Sequence, residues 1–183
     1  MDNEQTLDDE LQEMLDHHRI RKTLSEYCHG CDRCDEGVMS SVYLEDSWDD
    51  HGIYQAPGAE FAIQMIASIH DTTDSLFHLL GQSLITVTGD DAAAETYFFA
   101  ASTSTGEDGK EICNQLGGRF VDKLRRENGR WLIRHRTVVR DWAISLPVEA
   151  DWTADAGLKR GTRTAADMGA MALGMGRSTH LGQ

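Results

Sequence analysis

The sequence predicts an α+β fold: helices first, then a run of antiparallel strands. Two observations carry this. Apolar residues before position 72 recur at helical spacing, with Leu7, Leu11 and Leu15 four apart and Ile20, Leu24, Tyr27 and Cys31 at i, i+4, i+7 and i+11. From Leu76 onward, apolar and polar residues form four long extended segments separated by turn residues. Strands that follow one another through short turns pair as a meander. The helices ahead of them must then cover one face of the sheet.

Taken in order, the two helical stripes predict two helices, with a bend near His17-His18. Gly30 weakens the second towards its end, because glycine is a poor helix former. A short helix is expected over Glu36–Tyr43. Ser47–Gln55 reads as extended, and Ala56-Pro57-Gly58 as a turn. Phe61, Met65, Ile66 and Ile69 restore helical spacing up to Asp71. The four strands are expected at Leu76–Thr88, Ala92–Thr103, Glu111–Arg126 and Arg130–Trp142. Gly89-Asp90-Asp91, Gly106-Glu107-Asp108-Gly109 and Asn128-Gly129 connect them, and Asn-Gly is the strongest hairpin signal of the three. Residues 1–145 form the expected domain. Residues 146–183, rich in Gly, Ala and Met, read as a tail that packs on the domain or on a neighbouring subunit, with a short helix at Ala165–Leu173.

The chain has 183 residues, of which 40% are hydrophobic, enough for one core. Its formal net charge of −14 argues against nucleic acid and anionic membrane surfaces as partners. Part of that charge is local, since Asp2, Glu4, Asp8, Asp9, Glu10 and Glu13 crowd the N-terminus. No apolar run is long enough to span a bilayer, and no basic-then-apolar leader is seen at the start. The expected compartment is the cytoplasm, with the four cysteines reduced.

Several groups could carry chemistry. Cys28, Cys31 and Cys34 have a spacing reminiscent of half a cluster site, but Cys113 lies far away in an expected strand. Core packing is the favoured reading, and no metal is expected. In Asp49-Asp50-His51-Gly52, strand alternation lets only Asp49 and His51 share a face, so His51 could line a cavity. His78 lies mid-strand, with Leu80, Gln82, Leu84 and Thr86 on its face. By itself it reads as a hydrogen-bonded core histidine; beside a carboxylate such as Asp32 it would be a base. Strict alternation in the last strand puts Arg140 with Arg134 and Arg136, opposite Trp131 and Ile133. Arg140 then points away from the core unless a bulge intervenes. Tyr97, Phe98 and Phe99 must send at least one ring inward, and Tyr97 and Phe99 are taken as the substrate-facing pair. The absence of a phosphate loop, a nucleophile elbow or an HExxH segment leaves nothing that calls for a cofactor.

Four segments together resemble the SnoaL-like family of the nuclear-transport-factor-2-like superfamily. They are Tyr27…Cys31-Asp32-Arg33-Cys34-Asp35, Asp49-Asp50-His51-Gly52, His78-Leu79-Leu80-Gly81, and the run from Gly118-Arg119-Phe120-Val121-Asp122 through Trp131 to Arg140-Asp141-Trp142. The resemblance spans residues 10–143. It implies a cone-shaped α+β barrel closed by N-terminal helices around a deep pocket. Within the superfamily the chain is similar to cofactor-free lyases, among them scytalone dehydratase, bile-acid 7α-dehydratase and hexachlorocyclohexane dehydrochlorinase. That likeness implies a dyad of Asp32 and His78, with Tyr27 and Arg140 as further catalytic groups. Where scytalone dehydratase has a tyrosine on the first strand, this chain has His51 nearby. The implied activity is a dehydratase-type elimination on a hydrophobic cyclic or aromatic hydroxylated molecule, such as a steroid or lignin-derived aromatic, in a homo-oligomer, trimer before dimer. Alternatives are a formaldehyde-lyase acting on diaryl propanediols, an isomerase or polyketide cyclase, and a non-catalytic module that binds a hydrophobic ligand.

Overall fold

In a computed structural model that describes residues 6–149, 157–164 and 166–174, the N-terminal helix is a single rod, α1 (Leu7–Arg33). The expected bend at His17-His18 is absent, because no glycine or proline interrupts the helix before Gly30. Thr6 starts it with a capping box: its side chain accepts from the Asp9 amide, and the Asp9 carboxylate accepts from the Thr6 amide. Leu7, Leu11 and Leu15 are exposed; burial begins at Asp16 and follows Ile20, Thr23, Leu24 and Tyr27. Gly30 keeps its helical place because another segment crosses there, and a Cβ would sit 2.7 Å from the Met39 nitrogen. Cys34, at φ 52°, ends the helix in a left-handed cap.

After α2 (Glu36–Ser40) come β1 (Tyr43–His51) and β2 (Tyr54–Pro57). Where one extended run was expected over Ser47–Gln55, the chain makes a hairpin that turns at Gly52, φ 77°. Helix α3 (Gly58–Thr72) precedes β3 (Ser75–Thr88), β4 (Asp91–Thr105), β5 (Glu111–Glu127) and β6 (Arg130–Pro147). The expected four-strand meander is present, and β1 extends it by pairing parallel to β6. The six strands run β2-β1-β6-β5-β4-β3 in one mixed sheet. It curls into a cone around the helices without closing into a barrel.

Three bulges decide what faces inward. In β3 the register slips between Leu80 and Ser83. Leu80 and His78 therefore share the buried face with Ser83 and Ile85, and Leu84, expected beside His78, is 73% exposed. In β6, Leu124 pairs with Ile133 but Lys123 pairs with His135, which makes Arg134 the extra residue. Arg136, Val138 and Arg140 are thereby returned to the face of Trp131 and Ile133. Strict alternation is corrected at this point. A second bulge follows, at Asp141, because Gly118 pairs with Arg140 and Gly117 with Trp142. It turns Trp142, Ile144 and Leu146 onto the convex face.

Part of the expected tail is ordered against the body. Arg163 donates to the Ile69 and Thr73 carbonyls at the end of α3, and Arg33 donates to the Thr162 carbonyl at 3.3 Å. A short helix, α4 (Met168–Leu173), is capped by the Asp167 side chain. Residues 150–156, 165 and 175–183, which complete the expected tail, and the acidic Asp2 and Glu4 lie outside the described residues.

Candidate active site

The last turn of α1 delivers Asp32 to the middle of β3. The Asp32 carboxylate lies 2.6 Å from His78 Nδ1 through Oδ1, and accepts the His78 backbone amide at 2.9 Å through Oδ2. Both oxygens are thus held, and side-chain exposure is only 10% for Asp32 and 11% for His78. A carboxylate accepts and does not donate, so Nδ1 carries a proton, and in the neutral imidazole Nε2 has the lone pair. That is the tautomer a general base requires. Around His78 the interior is aromatic: the Phe98 ring lies at 6.2 Å and the Phe120 ring at 6.5 Å, and those two stack at 4.2 Å. Asp32 also borders a pocket of about 700 Å³ whose far wall is the segment Leu158–Arg163.

A second cluster lies across Phe120. The Tyr27 hydroxyl is 3.3 Å from His51 Nε2. His51 Nδ1 bonds Asp49 Oδ1, and Tyr43 donates its hydroxyl to Asp49 Oδ2. Asp49 has no exposed surface, and the His51 ring stacks on Phe61 at 4.5 Å. Burial pushes the Tyr27 phenol well above its ordinary range, and the Asp49 charge adds to that. Tyr43 is raised in the same direction, again chiefly by burial.

Beneath both clusters lies a buried ion pair. Arg136 donates to Asp122 through Nε at 2.7 Å and Nη2 at 2.9 Å, and neither side chain has any exposed surface. The guanidinium lies 4.1 Å from the ring centroids of both Tyr27 and Phe120. Its Nη1 has no hydrogen-bond partner among the described residues. Burial alone would weaken the Arg136 cation, but the Asp122 charge and hydrogen bonds more than offset it and hold the group protonated.

The structure thus joins Asp32 to His78 and Tyr27 to His51, and Phe120 touches both Tyr27 and His78. Arg140 lies on the concave face opposite Gly118, exposed, with no side-chain hydrogen bond or ion pair among the described residues. Tyr97 and Phe99 are corrections: both lie on the convex face, where Phe99 meets Trp142 at 6.1 Å. The inward ring is Phe98, in step with buried Ala94, Thr96 and Ala100. Sequence reasoning missed Tyr43, Asp122, Arg136 and Phe120 as parts of the interior. The pairing of Asp49 with His51 was readable, since two residues apart on a strand share a face.

Cys28 and Cys31 are core residues, and burial pushes the Cys28 thiol up to about 12. Among the described residues, no group of three or more His, Cys, Asp or Glu side chains is arranged to hold a metal ion. No described helix is long and apolar enough to cross a membrane.

The SnoaL-like domain family matches residues 12–137. No curated protein matches the chain. Among solved structures, the chain is similar to a candidate scytalone dehydratase from Novosphingobium aromaticivorans, with 16% identity, a TM-score of 0.66 and coverage of 75% of this chain and 92% of that one. It is also similar to a hexachlorocyclohexane dehydrochlorinase from Novosphingobium barchaimii, with 16% identity, a TM-score of 0.65 and coverage of 78% and 96%. A candidate aromatic ring hydroxylase from N. aromaticivorans is 20% identical, with a TM-score of 0.63 and coverage of 74% and 94%. At these identities the likeness is one of fold.

Proposed function

Because this chain belongs to the SnoaL-like family, whose fold is shared with proteins named as dehydratase and dehydrochlorinase, we propose that it is a cofactor-independent lyase that eliminates water from a hydrophobic cyclic or aromatic hydroxylated molecule. The observation that carries this is the Asp32–His78 pair, bonded at 2.6 Å and set against Phe98 and Phe120. Burying a carboxylate beside a histidine in an aromatic interior is costly, and a passive apolar pocket gains nothing from it. His78 Nε2 takes the proton from a carbon next to a carbonyl or electron-rich ring, and Asp32 stabilises the imidazolium that forms. Tyr27 and Arg140 stabilise charge on substrate oxygens. Phe98 and Phe120 supply the surface for the substrate ring. Four unpaired cysteines favour the cytoplasm. A homotrimer would cover the apolar convex face around Trp142.

The test is a panel of hydroxysteroids, diaryl diols and hydroxy-aromatic ketones screened for product. On any substrate found, His78→Ala lowers turnover by about 10²–10⁴-fold or more, and Asp32→Asn is also severe. A His78→Ala protein that keeps more than about a tenth of the activity, well short of that range, overturns the assignment of His78. Tight binding of a panel member without turnover would favour the passive pocket.

A further inference from the structure

Tyr27, His51 and Asp49 line up as three acid–base groups running from a buried phenol to a ring that is 20% exposed. We propose that this chain is a proton relay: through Tyr27 it hands the departing hydroxide its proton, while His78 takes the proton from carbon. The inference deepens the elimination reading above and rests on it.

A leaving hydroxide needs a proton as its bond to carbon breaks, and a positioned acid supplies it. Tyr27 and His78 both pack beside the Phe120 ring, and the relay assigns this acid role to the Tyr27 hydroxyl. Its burial makes a lone phenolate costly, so Tyr27 can release a proton only as another arrives at the same oxygen. His51 Nε2 stands 3.3 Å from that oxygen. Asp49 holds the other ring nitrogen, and among the described residues His51 is the one basic side chain within ion-pair distance of this buried carboxylate. The relay starts from the charged form of His51, in which Asp49 holds the Nδ1 proton. In that state Nε2–H donates to the Tyr27 oxygen and leaves the Tyr27 hydroxyl proton free for the substrate. In the neutral state Nε2 accepts the Tyr27 proton instead and withholds it.

The groups facing this chain are consistent with the role. On α1 there is Tyr27 itself. On β1 there are Asp49 and Tyr43, and α3 contributes the uncharged Phe61 ring. On β6, Arg136 is the register partner of Asp49 and lies over the Tyr27 ring, where its positive charge eases transient charge on the phenol; Asp122 on β5 neutralises it. The step balances. The C–H bond breaks, its proton goes to His78 Nε2, and its electron pair forms the C=C bond. The C–O bond breaks and its pair leaves with oxygen, which takes the Tyr27 proton to become water. The Tyr27 oxygen takes the Nε2 proton of His51. His78 ends protonated, His51 ends neutral, and solvent exchange resets both.

Two measurements test it. The first needs no substrate. In protein carrying ¹⁵N-histidine, Tyr27→Phe removes one hydroxyl and keeps the ring. The His51 Nε2 resonance is expected to move and that of His78 to stay. An unmoved His51 resonance overturns the relay. The second compares a benzylic β-hydroxy ketone with its β-acetoxy counterpart, because acetate departs without a proton. His51→Gln is expected to slow loss of water by about 10²-fold or more and loss of acetate by less than about tenfold, whereas His78→Ala slows both. Equal slowing of the two by His51→Gln overturns the relay. If His78→Ala slows neither, or the wild type turns over neither compound, the elimination reading fails on this class, and the NMR result alone decides the Tyr27–His51 link.

Discussion

A guanidinium with no exposed surface has to be neutralised where it lies, and Asp122 does this for Arg136 with two hydrogen bonds. Replacing Arg136 with methionine keeps much of the packing between Tyr27 and Phe120 but strands the Asp122 carboxylate. Breaking a buried pair from one side costs about 3–5 kcal/mol, so Arg136→Met should lower the urea midpoint by a corresponding amount. Adding Asp122→Asn to it should recover part of the loss, because the stranded charge is gone. A single variant as stable as the wild type would mean that the pair is not buried in solution. This arginine was hidden in the sequence for a definite reason. Counting back from the Asn128-Gly129 turn, an unbulged hairpin pairs Asp122 with His135. One extra residue at Arg134 makes the partner Arg136. Asp32 and His78 were legible as a pair only through family resemblance, since 46 residues separate them and the β3 bulge changes which side chains accompany His78.

At the scale of elements, turn chemistry made the meander readable: each of its three connections carries Gly with Asp or Asn, and the strand starts fall within one residue of expectation. The end of β6 was not readable. It runs to Pro147, because Trp142, Ile144 and Leu146 continue pairing with Gly117, Gln115 and Cys113 on a face that none of the described residues covers. The parallel contact of β1 with β6 was equally hidden, since no turn joins the two and the strands meet only once the sheet has assembled beneath α1. Gly118 sits at the Asp141 bulge, where a Cβ would run into the Val139 carbonyl oxygen and crowd Arg140 Cα at 3.2 Å. These are backbone atoms and cannot rotate away. Gly118→Ala should therefore cost about 1–3 kcal/mol, the usual range for overpacking, or force the bulge to move. Denaturant midpoints read the first outcome. A changed near-UV spectrum from a displaced Trp142 reads the second. A variant with neither change would show that the bulge tolerates a side chain.

For the molecule as a whole, the two faces of the sheet differ in what satisfies them. Helices α1 and α3 cover the concave face. On the convex face Phe77 is 51% exposed, Leu79 58%, Trp142 48% and Ile144 46%. A contiguous apolar patch of this kind is uncommon on a protein that stays alone in water, and a net charge of −14 opposes association unless something apolar drives it. The bulge at Asp141 is what puts Trp142 on this side, so one local irregularity shapes both the concave face around Arg140 and the outer surface. A second and third copy of the chain are the proposed cover. Sedimentation velocity at micromolar concentration should then give a species of three chain masses. Trp142→Glu and Leu79→Lys, each placing a charge in the middle of the patch, should shift that species towards one chain mass while leaving the circular dichroism of the fold unchanged. A wild-type protein that sediments as a monomer at that concentration would remove the trimer, and a two-chain species would replace it with a dimer on the same face. The same surface contains Phe99 and Tyr97, first read as substrate-facing rings. Loss of the oligomer in Phe99→Lys, with the ¹⁵N signals of His78 and His51 unmoved, would assign that aromatic pair to assembly and leave the interior to Phe98 and Phe120.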